Sequence, residues 1–478
     1  MATKQSKPLY DNSTLWIEVK KIIAASAGAA LFNYKGILHT EKEDIGVWDI
    51  NPITTERDYL TNFGDTKVIR FKIPLGDYVN RLYPFRDNLE FTLRRTPLGV
   101  SGQKKKQDSA IQVTRFKVIF NPRNNPPVGA SDIQMHHVHD LNRTELVEVQ
   151  VELLNRSLEP LRVKTVSDCF WDTDPSTLLS TLLTSSANKI QVNGKACIDA
   201  IDIADCDNAE KAPHIVIPAG TRIMNLPTFL QNELGLYNRG IGTFFQVYRG
   251  KRTIFVYPTF DTERFNGKEP RAAFYAVPQE KLPQMDRTYA VDGDILKIAV
   301  TAQRTYTDSA ELGMMNGGAG FRMADARAFM KKPVEITKDG PRANRARLTH
   351  ELVIKNRKDG LDYAPISQGG PSSNPYVLKS RVLQNYLGQL DLVWENADED
   401  LIYPGMPCRY TYLSQGKAVS VNGTILFVHA LTTRQGSMDS QAYRTTARIT
   451  IAVEPFNHVP DINFTGVKGE IDNDIKTR

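Results

Sequence analysis

The chain has 478 residues, of which 41% are hydrophobic, 24% charged and 9% aromatic, and its 60 basic and 54 acidic side chains give a net charge of +6. This composition is typical of a folded globular protein and excludes a chain that is disordered throughout. The small net charge gives no strong signature of nucleic-acid binding, which would need basic residues clustered on one face. The length suggests about three domains of roughly 150 residues each.

The four cysteines, Cys169, Cys197, Cys206 and Cys408, include no Cys-x-x-Cys pair. We therefore expect no disulfide framework and no cysteine-type zinc site, and we expect folding in a reducing cytoplasm. The apolar run from Ile22 to Phe32 is shorter than the roughly 20 residues that span a membrane. We predict a buried helix or a subunit contact there, and no membrane insertion.

A period-two pattern begins at about Lys67. Apolar and polar residues alternate over Ile69–Ile73, Leu89–Leu93 and Val147–Leu153. Strict alternation buries one face of a strand, as in antiparallel sheets and barrels. We predict that residues 1–166 form a polar N-terminal arm followed by a first β-barrel, with the lysines 104–106 in an exposed loop.

The pattern changes near Ser167. Asp174 and Pro175 suit the N-cap and first turn of a helix, and leucines at 178, 179, 182 and 183 give that helix an apolar face. Farther along, Leu226–Phe265 predicts a short helix that ends at Gly235, followed by a hairpin that turns around residues 249–251. We therefore predict an α+β insertion over residues 167–284, with a loop-rich stretch over 189–218.

Strand patterns return in residues 285–460, for which we predict a second β-barrel. Its strands are predicted at Asp294–Val300, Cys408–Leu413, Ala418–Val421, Thr424–Val428 and Ala447–Val453. The dipeptide Asn422-Gly423 predicts a hairpin turn between two of them. A long loop rich in glycine and arginine covers residues 307–347, and a polar tail covers residues 461–478.

Few residues suggest chemistry. His137 and His139 would share one face of a strand and could hold a metal with a third ligand from elsewhere, or they are solvated imidazoles at a polar edge. The glycines at 317, 318 and 320 lack the lysine and serine or threonine of a phosphate loop, so they predict a flexible loop.

No serine-hydrolase elbow is present, and the paired carboxylates Glu399 and Asp400 are interpreted as surface residues. A pair of glycosidase acids need not be adjacent in sequence, so sequence alone leaves that reaction open. We predict no catalytic residue, no cofactor and no enzymatic activity.

The long loop carries a set of arginines interleaved with apolar residues. Such a segment could order against an acidic partner, or it could be a solvated loop. If the segment orders against a partner, the predicted partner-binding residues are Arg322, Arg327, Phe329, Arg342, Arg345 and Arg347.

Three stretches resemble one class of assembly protein. Residues 84–93 (PFRDNLEFTL) resemble the strand entry of the first barrel of a hub protein, Leu226–Phe265 resembles the hub insertion, and residues 307–328 resemble a glycine-rich loop late in such chains. Together they make the chain similar to virion proteins of tailed bacteriophages, and more narrowly to the baseplate hubs of contractile tails, which are related to the VgrG spike proteins of type VI secretion.

The resemblance implies a fold and a function. It implies a mainly β chain with an α+β insertion and two tail-tube-like β-barrel domains. It also implies a structural hub in the tail baseplate, assembled in the host cytoplasm as a homotrimer. Three chains with two barrels each would adapt a six-fold tail tube to a three-fold spike and line the channel for genome passage. The implied partners are the tube and spike proteins, wedge or neighbouring baseplate proteins, and genomic DNA passing through the lumen.

Other functions stay open at this point. A second virion part, such as a tube, wedge or terminator component, would share the composition. A cell-wall hydrolase carried on the baseplate and a DNA-contacting connector are candidates from other classes, although the near-neutral charge disfavours the connector.

Overall fold

The computed structural model describes residues 14–24, 31–98, 111–125, 146–192, 194–208, 211–281, 288–306, 387–414, 417–436 and 442–454, with short pieces between 321 and 384 and at 462–463. The protein is mainly β, and its main sheet contains fourteen strands. The helices are α1 (Thr14–Ala24), α2 (Leu75–Asp77), α3 (Leu158–Val163), α4 (Pro175–Lys189) and α5 (Leu226–Glu233). The prediction of a mainly β chain with an α+β insertion is confirmed.

The first part of the chain forms seven strands. They are β1 (Phe32–His39), β2 (Asp44–Gly46), β3 (Ile53–Asp58), β4 (Thr66–Pro74), β5 (Glu90–Pro97), β6 (Gln112–Phe120) and β7 (Leu146–Asn155). The predicted alternation is present, because Ile69, Phe71 and Ile73 on β4 are fully buried while Arg70 between them is exposed. These strands pair antiparallel in the order β3-β4-β7-β6-β5-β1.

The insertion follows β7. Its strands are β8 (Thr165–Thr173), β9 (Gln191–Val192), β10 (Lys195–Ala196), β11 (Ala200–Ile203), β12 (Ala212–Arg222), β13 (Gly242–Tyr248) and β14 (Lys251–Tyr257). The predicted helices and hairpin are confirmed. Asp174 caps α4 by accepting a hydrogen bond from the Thr177 amide at 2.8 Å. Arg249 and Gly250 both have positive φ, as a tight two-residue hairpin turn requires.

The insertion has an outer ribbon that the sequence did not predict. Among the described strands, β8 and β12 pair only with each other and form this two-stranded outer ribbon. β12 contains Pro213, Pro218 and Gly220, which argue against a strand in a wider sheet, and its register shifts between Ile217 and Thr221. The stretch predicted as loop-rich therefore contains a long strand.

The second β-rich part supplies the remaining strands. They are β15 (Arg271–Ala276), β16 (Tyr289–Asp292), β17 (Ile295–Tyr306), the short strands β18 (Phe321–Met323), β19 (Glu335–Thr337), β20 (Gly340–Arg342), β21 (Leu352–Ile354) and β22 (Ala364–Pro365), then β23 (Gly388–Trp394), β24 (Pro407–Ser414), β25 (Lys417–Arg434), β26 (Tyr443–Val453) and β27 (Ile462–Asn463).

Strand pairing closes two circuits, which we call the first and second rings. The first ring runs β3-β4-β7-β6-β5-β1-β26-β25 and returns to β3, and its contact between β1 and β26 is the single pair Phe32–Tyr443. The second ring runs β15-β24-β25-β26-β23-β17 and returns to β15. Each ring encloses its own apolar core, the first around Phe71 and Phe91 and the second around Phe274 and Trp394.

The two rings share β25 and β26, which we call the shared ribbon. β25 pairs with β24 over Lys417–Thr424 and with β3 over Phe427–Thr432, while its other edge pairs with β26. The predicted turn at Asn422-Gly423 is wrong, because the strand continues through it. A Cβ on Gly423 would lie 2.3 Å from the Ala452 carbonyl oxygen, so the glycine allows close approach of β26 rather than a reversal.

The insertion is packed between its own helices and the second ring. One face of the β13–β14 hairpin places Phe244, Phe255 and Tyr257 in the core of the second ring. The other face places Phe245 and Ile254 in a separate core with α4 and α5. The β13–β14 hairpin is thus buried on both faces.

Helix α1 lies on the second ring, although it is at the beginning of the chain. Leu15, Trp16 and Val19 pack against Val277 and Ala299. The apolar run 22–32 is therefore split between the end of α1 and the start of β1, with residues 25–30 outside the described part.

The predicted domain division stays a prediction. Within it, β15 lies on the insertion side of the boundary at 284 but pairs with β17 and β24 of the second ring. The predicted arm, the lysine loop at 104–106 and most of residues 307–347 and 461–478 lie outside the described residues.

Candidate functional site: a buried ion cluster between the two rings

Two arginines point into the first ring. On β3 the inward positions are Ile53, Thr55 and Arg57, and on β5 they are Phe91, Leu93 and Arg95. Arg57 is only 2% exposed and Arg95 only 8%. Because a buried charge is costly unless it is paired, these two guanidinium groups require partners inside the protein.

A turn from the second ring supplies those partners. It connects β23 to β24 and includes the 3₁₀ turn Glu399–Leu401. Nη1 and Nη2 of Arg57 donate to the carbonyl oxygen of Glu399 at 2.6 Å and to Oδ1 of Asp400 at 2.7 Å. Arg95 donates from Nη1 to Oδ2 of Asp400 at 2.5 Å and from Nη2 to Oδ1 of Asp398 at 2.7 Å. Asp400 therefore bridges two strands of the first ring.

An aromatic side chain completes the cluster. The Arg95 guanidinium carbon lies 3.6 Å from the centroid of the Phe32 ring, where the π face attracts a cation. Phe32 also makes the single pair between β1 and β26. The cluster thus forms where the circuit of the first ring has its shortest strand contact.

The charges shift each other's protonation in opposite directions. Burial alone would raise the pKa of Asp400, but Arg95 and Arg57 outweigh it and hold that pKa well below its usual range. Burial raises the pKa of Glu399, and the neighbouring Asp400 charge raises it further. The Oε2 atom of Glu399 is buried without a hydrogen-bond partner in the described part of the chain. The ionised Asp400 carboxylate stabilises the fold, whereas ionisation of the Glu399 side chain destabilises it.

The interpretation of Glu399 and Asp400 as surface residues is therefore wrong. Glu399 is 3% exposed, and Asp400 is fully engaged by two arginines. Sequence reasoning also missed Arg57 and Arg95. The alternation of inward and outward residues along β3 and β5 could have located them, because the inward positions of both strands include these arginines.

Three further contacts hold strands of the first ring together or join that ring to the insertion. Asp49 pairs with Lys72 of β4 at 2.9 Å and with Arg434 at the end of β25 at 2.7 Å. Tyr59, which follows β3, accepts at its carbonyl oxygen a hydrogen bond from the Tyr257 hydroxyl at 3.1 Å. The first ring is therefore tied to both the shared ribbon and the insertion sheet.

The residues predicted as sites are not brought together in the described structure. His137 and His139 lie outside the described residues, as do Arg327, Phe329, Arg345 and Arg347. Arg322 lies in β18 and Arg342 in β20, and only the course of those strands is described. In the described part of the chain, no group of three or more histidine, cysteine or acidic side chains is placed to hold a metal ion.

The cluster has the properties of a clamp. Its arginines are anchored and its shared carboxylate is ionised between them.

Of the helices that are described, none has the length and apolar character needed to cross a bilayer.

Comparison with known proteins gives matches in structure only. No protein-family model matches the chain, and no curated protein matches it. Among solved structures it is similar to a tail protein from Neisseria meningitidis MC58, at 9% identity and a TM-score of 0.42, covering 88% of this chain and 96% of that one. It is also similar to the 43 kDa tail protein of prophage MuSo2 from Shewanella oneidensis, at 8% identity and a TM-score of 0.43, covering 88% and 98%.

A third match is an E. coli component of the type VI secretion system, itself described as similar to T4 bacteriophage tail proteins gp27 and gp5. It shows 10% identity and a TM-score of 0.40 over 88% of this chain and 77% of that one. These matches are to tail proteins and to a type VI secretion component, the same class of protein that the sequence resembles.

Proposed function

We propose that the protein is a non-enzymatic structural hub of a phage tail baseplate, which acts as a trimeric symmetry adaptor. The observation that carries this proposal is the presence of two closed strand rings in one chain, joined by two strands that belong to both. Three such chains would present six rings around one axis, which matches a six-fold tube to a three-fold spike.

The rigidity of the junction supports this role. An adaptor must hold its two rings at a fixed relative position, since a swinging ring would leave the six-ring circle open. In this chain β25 and β26 pass through both rings, and the Arg57–Asp400–Arg95 cluster joins the inside of the first ring to a turn of the second. We propose that this buried, mutually paired cluster fixes geometry more than it adds stability.

Exposed apolar side chains on the outside of the first ring also support assembly. Trp48 is 62% exposed, Val113 62% and Ile37 43%, and all three line one concave surface. Exposed apolar patches of this kind mark protein interaction sites. In the proposed assembly this surface faces a neighbouring chain or the tube protein, and the inner surface of the trimer lines the channel for genome passage.

The proposal extends to location and partners. We propose that the protein assembles in the host cytoplasm, resides in the virion baseplate, and contacts the tube, the spike and wedge proteins. The arginine-rich segment with Arg322, Arg327, Phe329, Arg342, Arg345 and Arg347 is proposed as one of the partner-contacting regions.

Electron microscopy of the purified protein and of virions tests the proposal. We expect a ring of three chains that displays six barrel-shaped densities. A monomer under assembly conditions, or six or two copies in the virion, would contradict the adaptor and favour a tube, wedge or terminator component. Turnover of peptidoglycan that is lost on replacing an acidic pair would identify a cell-wall hydrolase instead.

A further inference from the structure

The insertion sheet has one open edge. Its strand order is β11-β14-β13. On the β13 side the edge is covered, because the Phe245 amide donates to the Phe63 carbonyl oxygen at 2.6 Å and Gly64 bridges to Phe245. On the other side, β11 pairs with β14 alone among the described strands. Alternate residues of such an edge strand direct their backbone N–H and C=O groups away from the sheet.

A cleft of about 580 Å³ runs along this edge. All residues from Ala200 to Asp205 line it, so the cleft follows β11 over its whole length. The opposite wall comes from the second ring and the segment before β15, including Arg264, Glu269 and Tyr403. The volume lies within the usual range of ligand-binding clefts.

The floor of the cleft is aromatic. Phe255 and Tyr403 are stacked with ring centroids 5.6 Å apart, and Tyr248 lies 5.3 Å from Tyr403. Ile201 and Ile203 turn to the insertion core, so Asp202, paired with Phe255 across the sheet, faces the cleft. Aromatic faces beside a carboxylate form an environment that binds cations.

The carboxylate of Asp202 makes no direct ion pair within the described chain, although Arg249, Lys251 and Arg264 also line the cleft. Arg264, the cation near it, donates to Glu269 and to the Gly405 carbonyl oxygen, the latter at 3.2 Å. No hydrogen bond or ion pair of Asp202 occurs among the described residues. Partial burial raises the pKa of Asp202 and the Glu269 charge raises it further, whereas the Arg264 charge lowers it by a smaller amount.

We propose that the cleft along β11 is a docking groove for an extended segment of a partner protein that carries an arginine or lysine. The segment adds to the open edge as a fourth strand, and its cationic side chain meets Asp202 over the aromatic floor. Edge pairing supplies affinity that is independent of sequence, and the carboxylate supplies selectivity. This inference goes beyond the hub proposal, because it concerns binding by the single chain.

Binding of short peptides to the purified full-length protein tests the groove. The probes are fluorescein-labelled, end-capped peptides of alternating threonine and valine, with arginine, norleucine or glutamate at the centre. Fluorescence polarisation should show saturable binding of the arginine peptide. We expect the norleucine peptide to bind about tenfold more weakly, since one charge-assisted hydrogen bond is lost, and the glutamate peptide more weakly still.

Two variants locate the interaction. Asp202→Asn should bind the arginine and norleucine peptides equally, with norleucine binding unchanged from the wild type. Asp172→Asn is the matched control, because Asp172 is an 82% exposed aspartate on the outer ribbon, and it should bind like the wild type. Both substitutions are at exposed positions, and an unchanged circular dichroism spectrum confirms the fold.

Two further measurements test hydrogen bonding between the backbones of the peptide and β11. Methylation of the arginine peptide on alternate backbone nitrogens should abolish binding, and the unmethylated peptide should slow amide hydrogen exchange in residues 199–204. No binding of the arginine peptide up to about 1 mM, an unchanged preference in Asp202→Asn, or tighter binding of the glutamate peptide would overturn the proposal. Self-association of the wild type that Asp202→Asn abolishes would show that a second copy fills the groove, which would also overturn it.

Discussion

The first ring carries two arginines among its inward side chains, whereas the second ring surrounds Trp394 and Phe274 with aliphatic and aromatic side chains. The first ring also depends more on strands and counterions from distant parts of the chain. It takes β25 and β26 from the later part of the chain, and its arginines take their counterions from the turn at 398–400.

The six strands of the second ring, in contrast, all follow residue 270. Earlier parts of the chain add side chains to it rather than strands: Tyr59 and the β13–β14 hairpin contribute to its core, and α1 packs on its surface. The comparison indicates a hierarchy, in which the second ring is the platform and the first ring depends on it. Amide hydrogen exchange in β4 and β7, compared with β17 and β23, reports on the two rings separately.

The largest expected effect is from Trp394→Ala. Trp394 is fully buried, and its Nε1 donates to the Thr288 hydroxyl at 3.0 Å. We expect a loss of about 3–5 kcal/mol in the free energy of unfolding, measured in urea. Because β25 and β26 serve both rings, exchange should accelerate in both. Trp394→Phe is the milder control, and unchanged exchange in β4 and β7 would contradict the hierarchy.

Asp400→Ala should act mainly on the first ring. Removal of the bridging carboxylate leaves Arg57 and Arg95 buried without their shared counterion, which costs about 3–5 kcal/mol. Exchange should accelerate in β4 and β7 more than in β17 and β23. Asp292→Ala removes a 69% exposed carboxylate from Lys297, which keeps its pair with Glu18 at 3.2 Å, and should leave the unfolding midpoint nearly unchanged. Equal acceleration in both rings would argue against a dependent first ring.

Gly405→Ala tests the contact between the second ring and the insertion. Gly405 has φ +67°, and an added Cβ would lie 2.0 Å from the Tyr257 ring. We expect a destabilisation of about 2–4 kcal/mol from backbone strain and overpacking. Gly293→Ala is the matched control, with φ +60° and open space around its Cβ position, and should cost about 1–2 kcal/mol. Equal losses of stability in the two variants, measured by thermal or urea unfolding, would mean that the Tyr257 ring moves aside at little cost.

The smallest expected effect distinguishes Glu399 from Asp400, two of the three carboxylates of the cluster. Glu399 has a raised pKa, so its charge costs stability above that pKa and the cost is relieved as the pH falls. Glu399→Gln should therefore be more stable than the wild type at about pH 7, and the difference should shrink towards about pH 4. A difference that is constant with pH would rule out titration of Glu399 as its cause.

The pH dependence of stability that Asp400 contributes has the opposite sign. Its lowered pKa means that its contribution is present above the unfolded-state pKa, near 4, and is lost as the pH falls further. Wild-type stability should accordingly decline below about pH 4, with earlier exposure of the first ring than of the second. Urea unfolding as a function of pH measures both signs in one series.

The sequence predicted local structure well and long-range pairing poorly. Alternation located β4, β5 and β7, the N-cap at Asp174 located α4, and the glycine at 250 located the hairpin turn. These features depend on residues close together in the chain. The ion cluster depends on Arg57 and Asp400, which are 343 residues apart, so no local pattern could pair them.

Two errors have specific physical causes. Asn422-Gly423 has the composition of a turn, but the tight approach of β26 requires a residue without a Cβ at that position. Proline and glycine in 212–222 argued against a strand, but a two-stranded ribbon tolerates them because each strand has only one partner. In both cases the neighbouring strand decided the structure, and the sequence near the residue does not reveal that neighbour.

The shared ribbon has a mechanical consequence. β25 alone contains eighteen residues, a length of roughly 60 Å, and its covalent backbone runs without a break from one ring into the other. A pulling force or torque on either ring is therefore transmitted along peptide bonds and many hydrogen bonds in parallel. In a contracting machine, the two halves of this molecule would turn as one body.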